Sequence, residues 1–190
     1  MRDVGEPSET ALQQARALAS TPRQRAELAL VDGTLHDWHG RTAAAAACFE
    51  VALSAMIALQ DAMGEARALT ALAGLDGDCG RNTLAAERTE RALEIFREEG
   101  AQRQLAVALI DAAYRDAVLG SADRAEVRFA EARAILTALG DSLARAHATA
   151  KLANLCLEQG RLGEAAARYA EALECYQRLG NLRSEAIELG

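Results

Sequence analysis

Two histidines three residues apart, His36 and His39, flank the single tryptophan, Trp38, in the segment HDWHG. Imidazoles at this spacing can bind a metal ion or transfer protons, and the carboxylate of Asp37 lies between them. A protein zinc site needs at least three protein ligands, and the one other histidine, His147, is far away in the sequence. Whether HDWHG does chemistry therefore depends on the element that carries it.

No other stretch offers a complete catalytic or cofactor motif. Asp76-Gly77-Asp78 begins like a calcium loop, but the rest of that ligand pattern does not follow. Phosphate-binding loops of the G-x-x-x-x-G-K type are absent, and no serine or cysteine has a partnered histidine motif. The four cysteines, Cys48, Cys79, Cys156 and Cys175, form no C-x-x-C pair, and this favours reduced thiols. We therefore expect no enzymatic activity, no metal and no cofactor.

The composition favours helices. Of the 190 residues, 51% are hydrophobic, which is enough to bury a core. The two prolines, Pro7 and Pro22, lie near the N-terminus, so long uninterrupted helices are permitted after them. Alanine, the strongest helix former, is abundant, and alternating strand patterns are absent. These features predict an all-α protein.

The net charge of -7 opposes direct binding to a nucleic-acid backbone. No apolar run is long enough to cross a membrane, and the start MRDVGEPSET lacks an apolar signal core, so we expect a cytoplasmic location. Lysine occurs once, at Lys151, although lysine and arginine together number 21. That bias towards arginine fits a GC-rich bacterial genome.

The sequence repeats itself every 40 residues without a gap. Glycine recurs in two series, and alanine recurs at two more positions of the same period. The series are Gly40, Gly80, Gly120 and Gly160; Gly100, Gly140 and Gly180, with Gln60 in their first slot; Ala45, Ala85, Ala125 and Ala165; and Ala52, Ala92, Ala132 and Ala172. Each period therefore contains two segments that end at a glycine slot.

Each segment has the apolar spacing of a helix, with a small polar residue near its start and glycine after its end. The polar starters are Thr42, Asn82, Ser121, Asp141 and Asn181. A single pair of such helices cannot bury its own apolar face, whereas stacked pairs can. The repeat thus predicts a stack of antiparallel helix pairs.

The repeat pattern resembles the tetratricopeptide repeat over roughly residues 23–190. Glycine is followed by alanine, an aromatic residue and a second alanine in Gly40-Ala45-Phe49-Ala52, Gly120-Ala125-Phe129-Ala132 and Gly160-Ala165-Tyr169-Ala172, whereas Thr89 replaces the aromatic in the second unit. The small residues of the first helices are Gly33, Ala73, Ala113 and Ala153. The corners Leu139-Gly140-Asp141 and Leu179-Gly180-Asn181 are similar to those of the 40-residue subclass in bacterial regulators and kinesin light chains.

The resemblance implies a right-handed α-solenoid, a superhelix of four repeats over about 23–61, 62–101, 102–141 and 142–181. Residues 1–22 would form a tail and a capping helix. The stretch 182–190 matches the start of a further first helix, which is either a cap or the edge of a longer protein, and we favour the second interpretation. In this register HDWHG is the last turn of a first helix, where His36 aligns with Asp76, Asp116 and Cys156. We therefore interpret HDWHG as a helix end.

In the tetratricopeptide family the first helices line a binding groove. The resemblance implies that a protein or peptide binds there, with a carboxylate or acidic peptide held by polar residues and an aromatic contact, at Arg67, Tyr114, His147, Lys151 and Asn154. The predicted function is a protein- or peptide-binding scaffold, the interaction or sensory module of a larger bacterial regulatory protein. The alternative is a homodimer formed through exposed terminal helices, using Leu182, Ile187 and Leu189.

Overall fold

The computed structural model describes Gln14, residues 16–178 and Gly180. The described residues contain no strand, and eight helices of 17 residues each follow one another with three-residue turns between them. They are α1 (Pro22–Trp38), α2 (Thr42–Ala58), α3 (Ala62–Asp78), α4 (Asn82–Glu98), α5 (Gln102–Val118), α6 (Ala122–Ala138), α7 (Ser142–Glu158) and α8 (Leu162–Arg178). The predicted all-α fold class, with antiparallel helix pairs packed on their neighbours, is confirmed. The stretch 182–190 and most of the predicted capping helix lie outside the described residues.

The glycine slots end the helices as predicted. Gly40 has a φ of 68°, its N–H donates to the carbonyl of Asp37 at 2.8 Å, and the N–H of Arg41 donates to His36 at 2.9 Å. This pair of hydrogen bonds satisfies carbonyls of the last helical turn and requires a left-handed residue. Gln60 adopts the same conformation with a φ of 55°, so the turn is retained even where glycine is missing from the series.

The predicted starters divide into two groups. Asp141 caps α7, because its carboxylate accepts a hydrogen bond from the Ala144 N–H at 2.9 Å. Ser121 precedes α6 without such a bond, and Thr42 and Asn82 are already the first residues of their helices. Asn181 lies outside the described residues. Asp141 therefore forms a side-chain cap, Ser121 stands at the N-cap position without one, and Thr42 and Asn82 lie one residue past that position.

The chain divides into two compact units, Met1–Ile95 and Phe96–Gly190, and the boundary between them falls within α4. In the first unit α2 packs on both α1 and α3, around the fully buried Phe49 and Met56. Two glycines make room for these side chains. A Cβ on Gly33 would lie 2.5 Å from Phe49 Cδ1, and one on Gly64 would lie 2.7 Å from Met56 Cγ. Small residues thus allow the large ones to enter the core.

In the second unit α5 pairs with α6, α7 pairs with α8, and α5 also packs on α7. Leu109 and Leu136 are fully buried, and Tyr176 of α8 packs on Ala146 and Ala150 of α7. The contact between α5 and α7, both first helices of their repeats, places two equivalent faces next to each other. Those faces carry the site described below.

Buried carboxylates occupy one repeat position in each unit. Asp76 at the end of α3 is 1% exposed, and its two oxygens contact Arg81 Nε and Arg88 Nη1, both at 2.7 Å. Asp116 at the end of α5 is likewise buried and pairs with Arg124 and, at 2.8 Å, with Arg128. A buried carboxylate is tolerated only when its charge is matched in this way.

None of the described helices is both long and apolar enough to be a candidate membrane span.

The fourth repeat keeps the arginine and lacks the acid. Cys156 stands at the position of Asp76 and Asp116 and is buried, while Arg168 stands at the position of Arg88 and Arg128. The Nε atom of Arg168 is buried and has no hydrogen-bond partner among the described residues. The buried ion pair is therefore a property of the two middle repeats and not of all four.

Candidate ligand-binding cleft

HDWHG is a helix end, as the register predicted. Asp37 lies in the last turn of α1, His39 is the residue that closes the helix, and Gly40 is the left-handed residue of the following turn. The part of the chain that the structure describes contains no group of three or more histidine, cysteine, aspartate or glutamate side chains placed to hold a metal ion. The segment contributes its backbone carbonyls to the turn, and Trp38 is largely exposed.

The cysteines differ in their surroundings. Cys156 is buried, and Cys175 is half-buried with its thiol 3.4 Å from the carbonyl of Ser142. Burial raises the pKa of the half-buried Cys48 thiol, and the nearby Asp32 carboxylate raises it further. Cys79 is exposed at the end of α3. A raised pKa makes the Cys48 thiol a poor nucleophile, which agrees with a structural role for that residue.

Four of the five predicted groove residues lie on α5 and α7 in the second unit: Tyr114, His147, Lys151 and Asn154. The fifth, Arg67, belongs to α3 in the first unit. Its guanidinium contacts both carboxylate oxygens of Glu27 on α1, at 2.8 and 2.9 Å. The structure therefore brings Tyr114, His147 and Lys151 together on two packed helices, and it gives Arg67 an acidic partner of its own.

Most of the predicted polar groups already have partners within the chain. Lys151 Nζ lies 2.7 Å from Asp111 Oδ1 and 5.9 Å from the centre of the Tyr114 ring. The Tyr114 hydroxyl donates a hydrogen bond to Glu158. These contacts make Lys151 a neutralised cation held over an aromatic face.

His147 and Asn154 are engaged from α8. His147 Nδ1 is 3.0 Å from the hydroxyl of the buried Tyr176, and the two rings meet edge to face at 5.3 Å. The side-chain oxygen of Asn154 accepts a hydrogen bond from the Tyr169 hydroxyl. The amide of Asn154, which was predicted to line the binding groove, is thus partly occupied by a side chain of its own repeat.

A cleft of about 220 Å³ lies between α5 and α7, beside these residues. The aliphatic residues Val107, Ile110, Ala144 and Ala148 form its floor and one wall, and the charged groups and the imidazole of the other lining residues form its rim. The lining residues are Arg103, Val107, Ile110, Asp111, Ala144, His147, Ala148 and Lys151. Such a combination of an apolar floor with a few polar groups is typical of ligand sites, although this volume is below the roughly 300–1,000 Å³ that is usual for a small-molecule pocket.

Arg103 was missed by the sequence reasoning. It lies one helical turn before Val107 on the same face of α5, so the three- and four-residue spacing of that face was the signal that could have found it. Arg103 Nε donates to Asp141 Oδ2 at 2.6 Å. The Ala144 N–H and then Arg103 hold the pKa of Asp141 below its usual value, because both stabilise the carboxylate.

The fold defines a class, that of helical-repeat proteins. The structure resembles the crystal structure of BtubC (BKLC) from P. vanneervenii, with a TM-score of 0.69 and 20% sequence identity over 91% of this chain and 72% of that chain. It also resembles a Rap protein complexed with competence and sporulation factor, with a TM-score of 0.74 and 18% identity over 86% of this chain and 46% of that chain. The chain therefore spans about half the length of the Rap protein. No family model and no curated protein matches the sequence.

Proposed function

We propose that this chain is a protein- or peptide-binding scaffold of the tetratricopeptide kind, and that the cleft between α5 and α7 is its binding surface in the second unit. The observation that carries the proposal is the combination, on two packed first helices, of an exposed aliphatic wall with a charged rim. Val107 is 41% exposed within this cleft, although it belongs to a helix whose other face is buried.

The structural neighbours agree with this proposal at the level of the fold. A Rap protein with a similar fold has been crystallised with competence and sporulation factor, which is the type of partner binding that we propose here. The wider context that we propose is an interaction or sensory module of a bacterial regulator, without catalytic activity of its own. Repeated helix pairs offer an extended surface on which a partner can bind.

Selection from a random peptide library against the chain would test the proposal. We expect peptides whose binding is lost on Val107→Arg, because a long cation in the aliphatic wall fills the cleft. The matched control is Val127→Arg on α6 of the same unit, where the side chain is 67% exposed and outside the cleft. The proposal is wrong if no peptide is selected, or if Val107→Arg and Val127→Arg bind the selected peptides equally well.

The variant Asn154→Ala tests the contribution of this polar residue, which the resemblance predicted, separately from that of the aliphatic residues of the cleft. Because its oxygen is engaged by Tyr169, we expect this variant to weaken binding less than Val107→Arg does. A larger loss with Asn154→Ala would move the centre of the binding surface towards the C-terminal end of α7.

A further inference from the structure

We propose that the cleft binds an extended peptide that carries an aliphatic and an acidic side chain two residues apart, with Arg103 binding the acidic group. The inference rests on the proposed function, because it specifies what the same cleft selects. It differs from the sequence prediction, in which Arg67, His147, Lys151 and Asn154 were expected to hold a carboxylate or an acidic peptide.

Arg103 has unused donors at the rim. Its Nε is bonded to Asp141, and its two terminal nitrogens have no hydrogen-bond partner among the described residues. The side chain is 60% exposed and lines the cleft. The free edge of a guanidinium can bind a carboxylate through two parallel hydrogen bonds, which a lysine ammonium cannot do.

The charge around Arg103 favours an anion. Asp141 offsets part of the guanidinium charge, but the same carboxylate also caps α7 through the Ala144 N–H and so faces the positive end of that helix. At the other end of the cleft, Lys151 is paired with Asp111, and the cation and carboxylate there neutralise each other. The terminal nitrogens of Arg103 are therefore donors on the rim that a ligand carboxylate can reach without displacing the bond between Arg103 Nε and Asp141.

The aliphatic surface begins one turn away from Arg103. Val107 is four residues further along α5, a rise of about 6 Å, and Ile110, Ala144 and Ala148 continue the floor. In an extended peptide, residues i and i+2 point to the same side and are about 6.6 Å apart. An aliphatic and an acidic side chain at this spacing reach the floor and Arg103 together, whereas adjacent residues point to opposite sides.

The test uses blocked pentapeptides and nuclear magnetic resonance titration of the intact chain, followed at the methyl groups of Val107, Ile110, Ala144 and Ala148. The probes are acetyl-Ala-Leu-Ala-Asp-Ala-amide and its reverse, acetyl-Ala-Asp-Ala-Leu-Ala-amide. The controls are acetyl-Ala-Leu-Asp-Ala-Ala-amide, with adjacent groups, and versions with Asn in place of Asp. We expect one orientation of the spaced pair to bind about five- to tenfold more tightly than its Asn version, because the Asp peptide adds a charge-assisted hydrogen-bonded pair.

Arg103→Met should remove the preference for Asp over Asn, and Arg145→Met, an exposed arginine of α7 outside the cleft, should preserve it. Equal binding of the Asp and Asn peptides would overturn the inference, as would tight binding of the adjacent-residue control or a preference that survives Arg103→Met. If library peptides bind and depend on Val107 while both spaced probes fail, the inference is wrong and the proposed function stands. If the library yields nothing, the proposed function itself fails.

Discussion

Replacing Arg128 with methionine should destabilise the second unit, because the buried carboxylate of Asp116 then loses the more buried of its two arginine partners. In the wild type this carboxylate is held by Arg128, whose side chain is 12% exposed, and by Arg124, which is 53% exposed. Removing one partner of a buried ion pair costs about 3–5 kcal/mol, because the other charge remains in a medium of low polarity. Arg124 keeps part of the compensation, although it is screened by solvent, so we expect a loss of about 2 kcal/mol.

The measurement is urea unfolding followed by far-ultraviolet circular dichroism, with two comparison variants. Arg133→Met alters an exposed arginine on the same helix and should change the free energy of unfolding by less than about 0.5 kcal/mol. The double variant Asp116→Leu with Arg128→Met removes both charges and should recover to within about 1 kcal/mol of the wild type. The reasoning is refuted if Arg128→Met is no more destabilising than Arg133→Met, or if the double variant is less stable than Arg128→Met alone.

Three further predictions concern the turns and helix contacts. Gly33→Ala should destabilise the first unit by about 1–3 kcal/mol through its clash with Phe49, whereas Gly74→Ala, where an added Cβ meets nothing within 4 Å, should stabilise it by about 0.5–1 kcal/mol; opposite signs in thermal unfolding check both. Gln60→Gly should stabilise the first unit by about 1 kcal/mol, since glycine adopts the left-handed conformation without strain, and an unchanged urea midpoint would contradict this. Asp141→Asn retains a cap but loses the charge, and the pKa of Asp141 is depressed in the folded chain. The wild type should therefore have a free energy of unfolding about 0.5 kcal/mol higher than the variant above pH of about 5, and this difference should vanish as the pH falls below about 4 through the folded pKa. A difference independent of pH would refute the assignment.

The helix ends were predictable because they depend on local chemistry. Glycine at a fixed interval marks the residue that must leave the right-handed region, and each described glycine of the series does so. Gln60 shows that the periodicity itself was more informative than the residue type, because the hydrogen bonds of the turn impose the same φ on glutamine. The starts were less well predicted, since several helices begin without a side-chain cap.

The candidate site was only partly predictable. The register placed Tyr114, His147 and Lys151 on facing helices, because α5 and α7 are equivalent elements of neighbouring repeats. It did not reveal that Lys151 would be neutralised by Asp111, or that Arg103 would be bonded to Asp141, 38 residues away. The partner of a long side chain depends on its rotamer and on the charges around it, and the 40-residue register determines neither of these.

The uniform spacing of 17 helical residues and three turn residues limits how the gene can change length. Deleting a single residue from the middle of α6 would rotate every later side chain of that helix by about 100°, moving Ala132 and Leu136 away from the core. Adding or removing a block of 40 residues preserves the apolar faces, because each first helix is still followed by a second helix and each glycine still lies in a turn. Relatives of this chain should therefore differ in length by whole blocks, and the smaller differences should fall in the turns.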